Sequence, residues 1–182
     1  GRMYVACSDV YPQIEAGVRG YDRVIALRDT NHDGKADESV VFAEDLLIPT
    51  GMEVGPDRVY IGQGPDLLTL RDTDGDGVSD ERVTLLTGFG NGDSHQTSNS
   101  FVWSPGGELW WCQGDGIESR VETPFGVSSL FQAGVYRMRP RELRLDPLLD
   151  DFMGPGNPWG IAFDDFGQSV VLDGAGGVSF LT

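Results

Sequence analysis

Basic residues are scarce in this chain: 13 Lys and Arg stand against 29 Asp and Glu in 182 residues, a formal net charge of −16. Without a basic stripe to neutralise phosphates, no nucleic-acid partner is expected, and anionic membrane surfaces should repel the chain. Long apolar runs are also missing. No stretch approaches the length of a membrane span, so this segment is not expected to insert in a membrane, and Gly1 to Cys7 reads as a strand rather than a signal peptide. There are two cysteines, Cys7 and Cys112. They could be buried thiols or one bridge and decide no redox compartment; buried free thiols are the expectation. Histidines are equally few, His32 and His95. With two cysteines on separate strands they make no zinc ligand cluster. No Gly-x-Ser-x-Gly elbow supports serine nucleophile chemistry, and no Cys-x-x-Cys-His attaches a c-type haem in this segment.

Glycine is plentiful. Its 26 residues, beside 10 prolines and 39% hydrophobic residues, allow a packed core but argue against a helical bundle, so an all-β protein is expected. The acidity is gathered in two loops, Asp29 to Asp37 and Asp72 to Asp80. Each has oxygen-bearing side chains at positions 1, 3, 5 and 9 and glycine at 6. Alternating oxygens on a tight loop suit a hard cation that takes six to eight of them, while glycine supplies the positive-φ turn. The expected calcium ligands are Asp29, Asn31, Asp33, Lys35 and Asp37 in one loop and Asp72, Asp74, Asp76, Val78 and Asp80 in the other, Lys35 and Val78 through backbone carbonyls. Without a metal, crowding should raise the carboxylates' pKa values and open the loops. An EF-hand is excluded, because its bidentate Glu at position 12 is replaced by Val40 and Val83 inside strand-like runs. The competing reading is a solvated acidic turn.

The loops start 43 residues apart, a spacing typical of repeat architectures. A second repeat runs alongside: Gly51 to Gly64 is echoed by Ser100 to Gly114 and again by Gly160 to Gly174. Each is a strand, a turn, a second strand and a glycine, followed by a third strand (Arg23 to Arg28, Leu67 to Arg71, Gly134 to Met138) and a fourth (Ser39 to Ala43, Arg82 to Thr87, Glu142 to Leu145). Four-stranded antiparallel units at this period are the blades of a β-propeller; an open β-sandwich is the alternative. The expected units are 1–47, 48–90, 91–153 and 154–182, the first lacking a strand and the last ending within its third. Roughly three and a half blades fall short of the four to eight that close a ring. Part of a longer protein is expected, or a partner chain that completes the ring.

Antiparallel strands place alternate loops on opposite faces. The acidic loops fall on one face, while Asp9, Tyr11, Gln63, Asp66, Asn91 to Asn99, Asp115, Gly154 to Pro158 and Asp173 gather on the other. His32 holds a variable loop position facing water. His95 shares its face with Asp115, a carboxylate that could orient the imidazole as a general base near neutral pH; the alternative is a surface histidine bonded to its own turn. Trp103, Trp110, Trp111 and Trp159 are expected to pack between sheets, with a stacking platform for a ligand as the minority reading.

His95-Gln96, Trp103 to Trp111, Gly114-Asp115 and Asn157-Pro158-Trp159-Gly160-Ile161-Ala162-Phe163 together resemble the soluble glucose/sorbosone dehydrogenases. Those are six-bladed propellers binding pyrroloquinoline quinone and calcium. Asp72 to Gly77, Leu86 to Gly90, Asn99 to Phe101 and Asn157 to Gly160 resemble the membrane-bound dehydrogenases of planctomycete-type bacteria, in which such a propeller precedes a cytochrome c module. The resemblance implies an exported, quinone-dependent oxidation of a sugar-type alcohol or aldehyde, periplasmic or extracellular, with a cytochrome c domain or protein as electron acceptor. His95 would take the hydroxyl proton, Asp115 would orient it, and Asn157 and Gln96 would contact cofactor or substrate. One departure stands out: the family's Arg before Asn-Pro is Gly156 here. The loops also match integrin-type propeller repeats, which imply a non-catalytic binding or scaffold module.

Overall fold

The computed structural model describes residues 1–13, 16–17, 19–149, 156–174 and 179–181. These are all-β, without an α-helix, and every strand pairing is antiparallel. Strands β1 (Arg2–Cys7), β2 (Asp22–Arg28) and β3 (Glu38–Leu46) make the first sheet. The second has four strands in chain order: β4 (Gly51–Val54), β5 (Val59–Gln63), β6 (Asp66–Arg71) and β7 (Glu81–Thr87). In the third, β8 (Asn99–Trp103) and β9 (Leu109–Gln113) are continued by β12 (Gly134–Arg139) and β13 (Arg144–Leu149), with the hairpin β10 (Glu118–Thr123) and β11 (Gly126–Phe131) inserted between β9 and β12. The last sheet is β14 (Pro158–Phe163), β15 (Ser169–Asp173) and β16 (Ser179–Leu181). Each repeated strand-turn-strand segment thus supplies the first two strands of a sheet.

Two-residue periodicity builds the stack, because neighbouring side chains on a strand face opposite sides. On β5, Val59 and Ile61 join Val24, Ala26 and Phe42 in a core shared with the first sheet, while Tyr60 turns the other way. On β9, Leu109 and Trp111 face the second sheet, and Trp110 and Cys112 face β14 and β15. A strand buried on both sides reads as an unbroken apolar run, as β5 and β9 do. Strand β8 has β4 on one side and β14 on the other.

Four details depart from the sequence reading. The hairpin β10–β11 stands where only a loop between the second and third strands is expected, and it wedges between β7 and β13. Strand β13 starts at Arg144, not Glu142, because Pro140 and a positive φ of 53° at Leu143 prolong the turn. Trp159 is half exposed rather than packed. Both cysteines are free thiols, but only Cys112 is buried, and burial pushes its thiol up to about 12. Gly154 and the boundary between units at 153/154 lie outside the described residues, as do Val178 and Thr182.

Candidate functional site

The acidic loops join β2 to β3 and β6 to β7 at one end of the stack. Glycine at the sixth position has positive φ in both, 87° at Gly34 and 98° at Gly77. In the first loop Asp29 accepts from the backbone N–H of His32, Asp33 and Gly34, and Asp37 accepts from Thr30 and Asn31. In the second, Asp72 accepts from Gly75 N at 2.7 Å and Gly77 N at 2.9 Å, and Asp80 from Thr73 N at 3.0 Å and Thr73 Oγ1 at 2.5 Å. Carboxylate oxygens of Asp72, Asp74 and Asp76 lie within 4.8 Å of one another, a donor set of hard oxygens that fits a divalent cation.

Asp29, Asp37, Asp72 and Asp80 are lowered, not raised as crowding alone would have it. The Gly34 N–H holds Asp29 below the ordinary range, and the Thr30 hydroxyl does the same for Asp37. At Asp72 desolvation works upward but is outweighed by donation from Gly75, Arg2 and Gly77; the Thr73 hydroxyl lowers Asp80. Aimed N–H and hydroxyl donors outweigh desolvation here, and at Asp80 the repulsion of Asp72 as well, because they lie at hydrogen-bond distance from the charge.

The second loop is also seated on the first sheet. Ser79 N donates to Phe42 O at 2.7 Å, Arg2 Nη1 reaches Asp72 Oδ2 at 3.1 Å, and the Arg82 guanidinium donates to the carbonyls of Glu44 and Asp45. At the same end, a groove of about 1030 Å³ between the second and third sheets is lined by Tyr60, Trp103, Arg58 and Arg139 among others.

The opposite end carries His95. Its backbone N–H donates to Asp93 Oδ1 at 2.9 Å and its Nδ1 lies 3.1 Å from the same oxygen. Donation from the His95 backbone, then from its ring, holds Asp93 below the usual carboxylate range. The Tyr11 ring meets the imidazole edge-on with centroids 5.1 Å apart. Asp115, exposed before the inserted hairpin, accepts from Gly116 N at 2.9 Å. The carboxylate bonded to His95 is therefore Asp93; the Asp-x-His spacing of an Asx turn was the available signal.

Gln96 and Asn157 lie at this end too. Gln96 O accepts from Gly114 N, while Asn157 N donates to Asp173 and Asn157 O accepts from Gly174 N. A Cβ at Gly114 would fall 1.7 Å from Gln96 Oε1, so any larger residue there must push the Gln96 amide aside. Gln96 Oε1, Thr97 Oγ1, Asn99 Oδ1 and Asn157 Oδ1 are buried with no hydrogen-bond partner among the described residues. Buried acceptors of this kind call for a donor from water or a ligand. Thr97 and Asn99 fall on the face expected for them, but nothing in the sequence shows that their oxygens are buried without a donor.

A family described as a domain of unknown function (DUF7133) matches residues 1–178. The chain belongs to this family. No curated protein matches it. Among solved structures, a luciferin-regenerating enzyme is similar at 11% identity and a TM-score of 0.38 over 74% of this chain and 58% of that one. The virginiamycin B lyase of Staphylococcus aureus is similar at 10% identity and a TM-score of 0.38 over 100% of this chain and 74% of the lyase. The DUF7133 chain thus spans little more than half of the first of these.

Proposed function

We propose that this DUF7133 chain is a run of propeller blades, braced by calcium at one end, from an exported dehydrogenase that oxidises a sugar-type alcohol or aldehyde. The observation that carries the reading is the end opposite the acidic loops: His95, Gln96 and Asn157 share it, and the latter two bring buried acceptors that lack a donor. A substrate hydroxyl is such a donor. His95 takes the hydroxyl proton, and the hydride on the hydroxyl-bearing carbon needs a two-electron acceptor bound beside it; a cytochrome c module, a one-electron carrier, would then take the electrons from that acceptor one at a time.

The quinone implied by the resemblance is a polycarboxylate that needs cationic or N–H partners. The residues do not fit it: Gly156 stands in place of Arg, Asp93 and Asp115 are acidic, and three of the four unpartnered side-chain atoms at this end are amide oxygens, which only accept.

A dye-linked oxidation assay on the full-length protein, with and without added quinone, against a panel of sugars tests the proposal. Turnover is expected, with His95→Ala at least about 100-fold slower, the usual worth of a general base. Equal turnover in both proteins removes the base. A second reading, a calcium-braced binding module, is favoured by His95 being tied within its own turn and half exposed; absence of turnover across the panel supports that one.

A further inference from the structure

We propose that Asp93 and Tyr11, carried on loops of two different sheets, are the positioning residues of His95 and leave its Nε2 as the free, basic nitrogen. The inference rests on reading His95 as the base.

An ionised carboxylate only accepts hydrogen bonds, and Asp93 is held in that form. The proton on the neutral imidazole therefore sits on Nδ1, 3.1 Å from Asp93 Oδ1, and the lone pair on Nε2. The same oxygen takes the His95 backbone N–H, so ring and backbone are referred to one atom. Tyr11 then limits where the ring can swing, meeting it at an interplanar angle of 61°.

Tyr11 is itself fixed from below. Asp22 is fully buried and accepts from Ser8 Oγ at 2.7 Å, Asp9 N at 2.6 Å and Ile48 N at 2.6 Å. Ser8 Oγ in turn accepts from Tyr11 N at 3.0 Å. The Ser94 hydroxyl donates to the Pro12 carbonyl, which joins this loop to the one carrying His95. A buried carboxylate on β2 of the first sheet is thus connected through hydrogen bonds to the Tyr11 backbone, and the Tyr11 ring carries the contact on to the imidazole. Asp115 bonds to its own turn and has no place in this chain of contacts.

The test is the tautomer of His95, read from imidazole ¹⁵N shifts in the neutral ring. The protein has two histidines, and a His32→Asn variant assigns them. Wild type is expected in the Nδ1–H form. Asp93→Ala should convert it to an Nε2–H majority, and Asp93→Asn, which keeps an acceptor oxygen, should restore the Nδ1–H form. Asp115→Ala should leave the ratio unchanged. Asp93 and Asp115 are both exposed, so these variants should fold. An Nε2–H majority in wild type, no response to Asp93→Ala, or a response to Asp115→Ala overturns the assignment. The readout needs no turnover, so loss of the oxidation reading in the dye-linked assay remains a separate result.

Discussion

Trp111→Ala is expected to lower unfolding stability by about 3–5 kcal/mol, the usual cost of emptying a large aromatic site in a core. Trp111 is fully buried and ties the second and third sheets together. It stacks on Phe101 at 5.2 Å with planes 4° apart, and it packs against Phe89 at 5.7 Å and Tyr136 at 5.4 Å. Phe101 and Tyr136 belong to the flanking strands β8 and β12 and Phe89 to the segment that follows β7, so a cavity here cannot close by the movement of one strand. Against a typical total of about 5–15 kcal/mol, the loss would leave the domain marginal, with Tm lower by roughly 10 °C. Trp111→Phe should cost less than about 1.5 kcal/mol, because it keeps most of the ring and removes an indole N–H that is buried without a partner. Trp159→Ala, at a half-exposed position, should stay within about 0.5 kcal/mol. Urea unfolding followed by circular dichroism measures all three, and a Trp111→Ala cost under about 1 kcal/mol would contradict the packing described.

Gly88→Ala is expected to detach the inserted hairpin and to cost about 3 kcal/mol. Gly88 has a φ of 109°, and an added Cβ would lie 2.2 Å from Arg120 O on β10. Its own carbonyl accepts from Arg120 N at 2.9 Å, so clash and lost hydrogen bond fall on the same contact. The control is Gly34→Ala, whose φ of 87° brings strain but whose Cβ would meet open space; about 1 kcal/mol is expected there. Limited proteolysis separates the two effects. Cleavage within 118–131 should appear in Gly88→Ala and not in Gly34→Ala.

The strand order was legible because its signals are local. Leu109-Trp110-Trp111-Cys112 is an apolar run set between Gly107 and Gly114, and it forms the doubly buried β9. The acidic loops were legible for a similar reason, since ligand spacing and glycine position are written in consecutive residues. The inserted hairpin escapes the sequence reading, although Glu118 to Thr123 alternates exposed and buried side chains and Pro124-Phe125 follows as a turn before β11. Without it Asp115 is expected in a loop on the same face as His95, whereas the chain there runs out into β10 and β11. Asp93, two residues from His95, was closer in sequence and in space. The Asp22 to Tyr11 relay had no local signal at all, because a buried Asp on a strand looks like any other Asp until tertiary packing brings Ser8 and Ile48 to it.

The acidic loops bear on function chiefly through where they are not. They occupy the end opposite His95, and the second is bonded to the first sheet through Ser79 and Arg2, so a cation there would brace two sheets while leaving the His95 end to chemistry. Calorimetric titration with calcium tests this most directly. Wild type is expected to bind two ions, with Kd of about 10⁻⁴–10⁻³ M as in extracellular modules. Each site should stabilise the fold by about 2.7 kcal/mol at a hundredfold excess over Kd. Asp29→Asn and Asp72→Asn should each lose one site, while Arg2→Ala should keep both and tighten the second, since the guanidinium no longer occupies Asp72 Oδ2. No binding heat and an unchanged Tm at saturating calcium, or two intact sites in both Asp variants, would contradict the account.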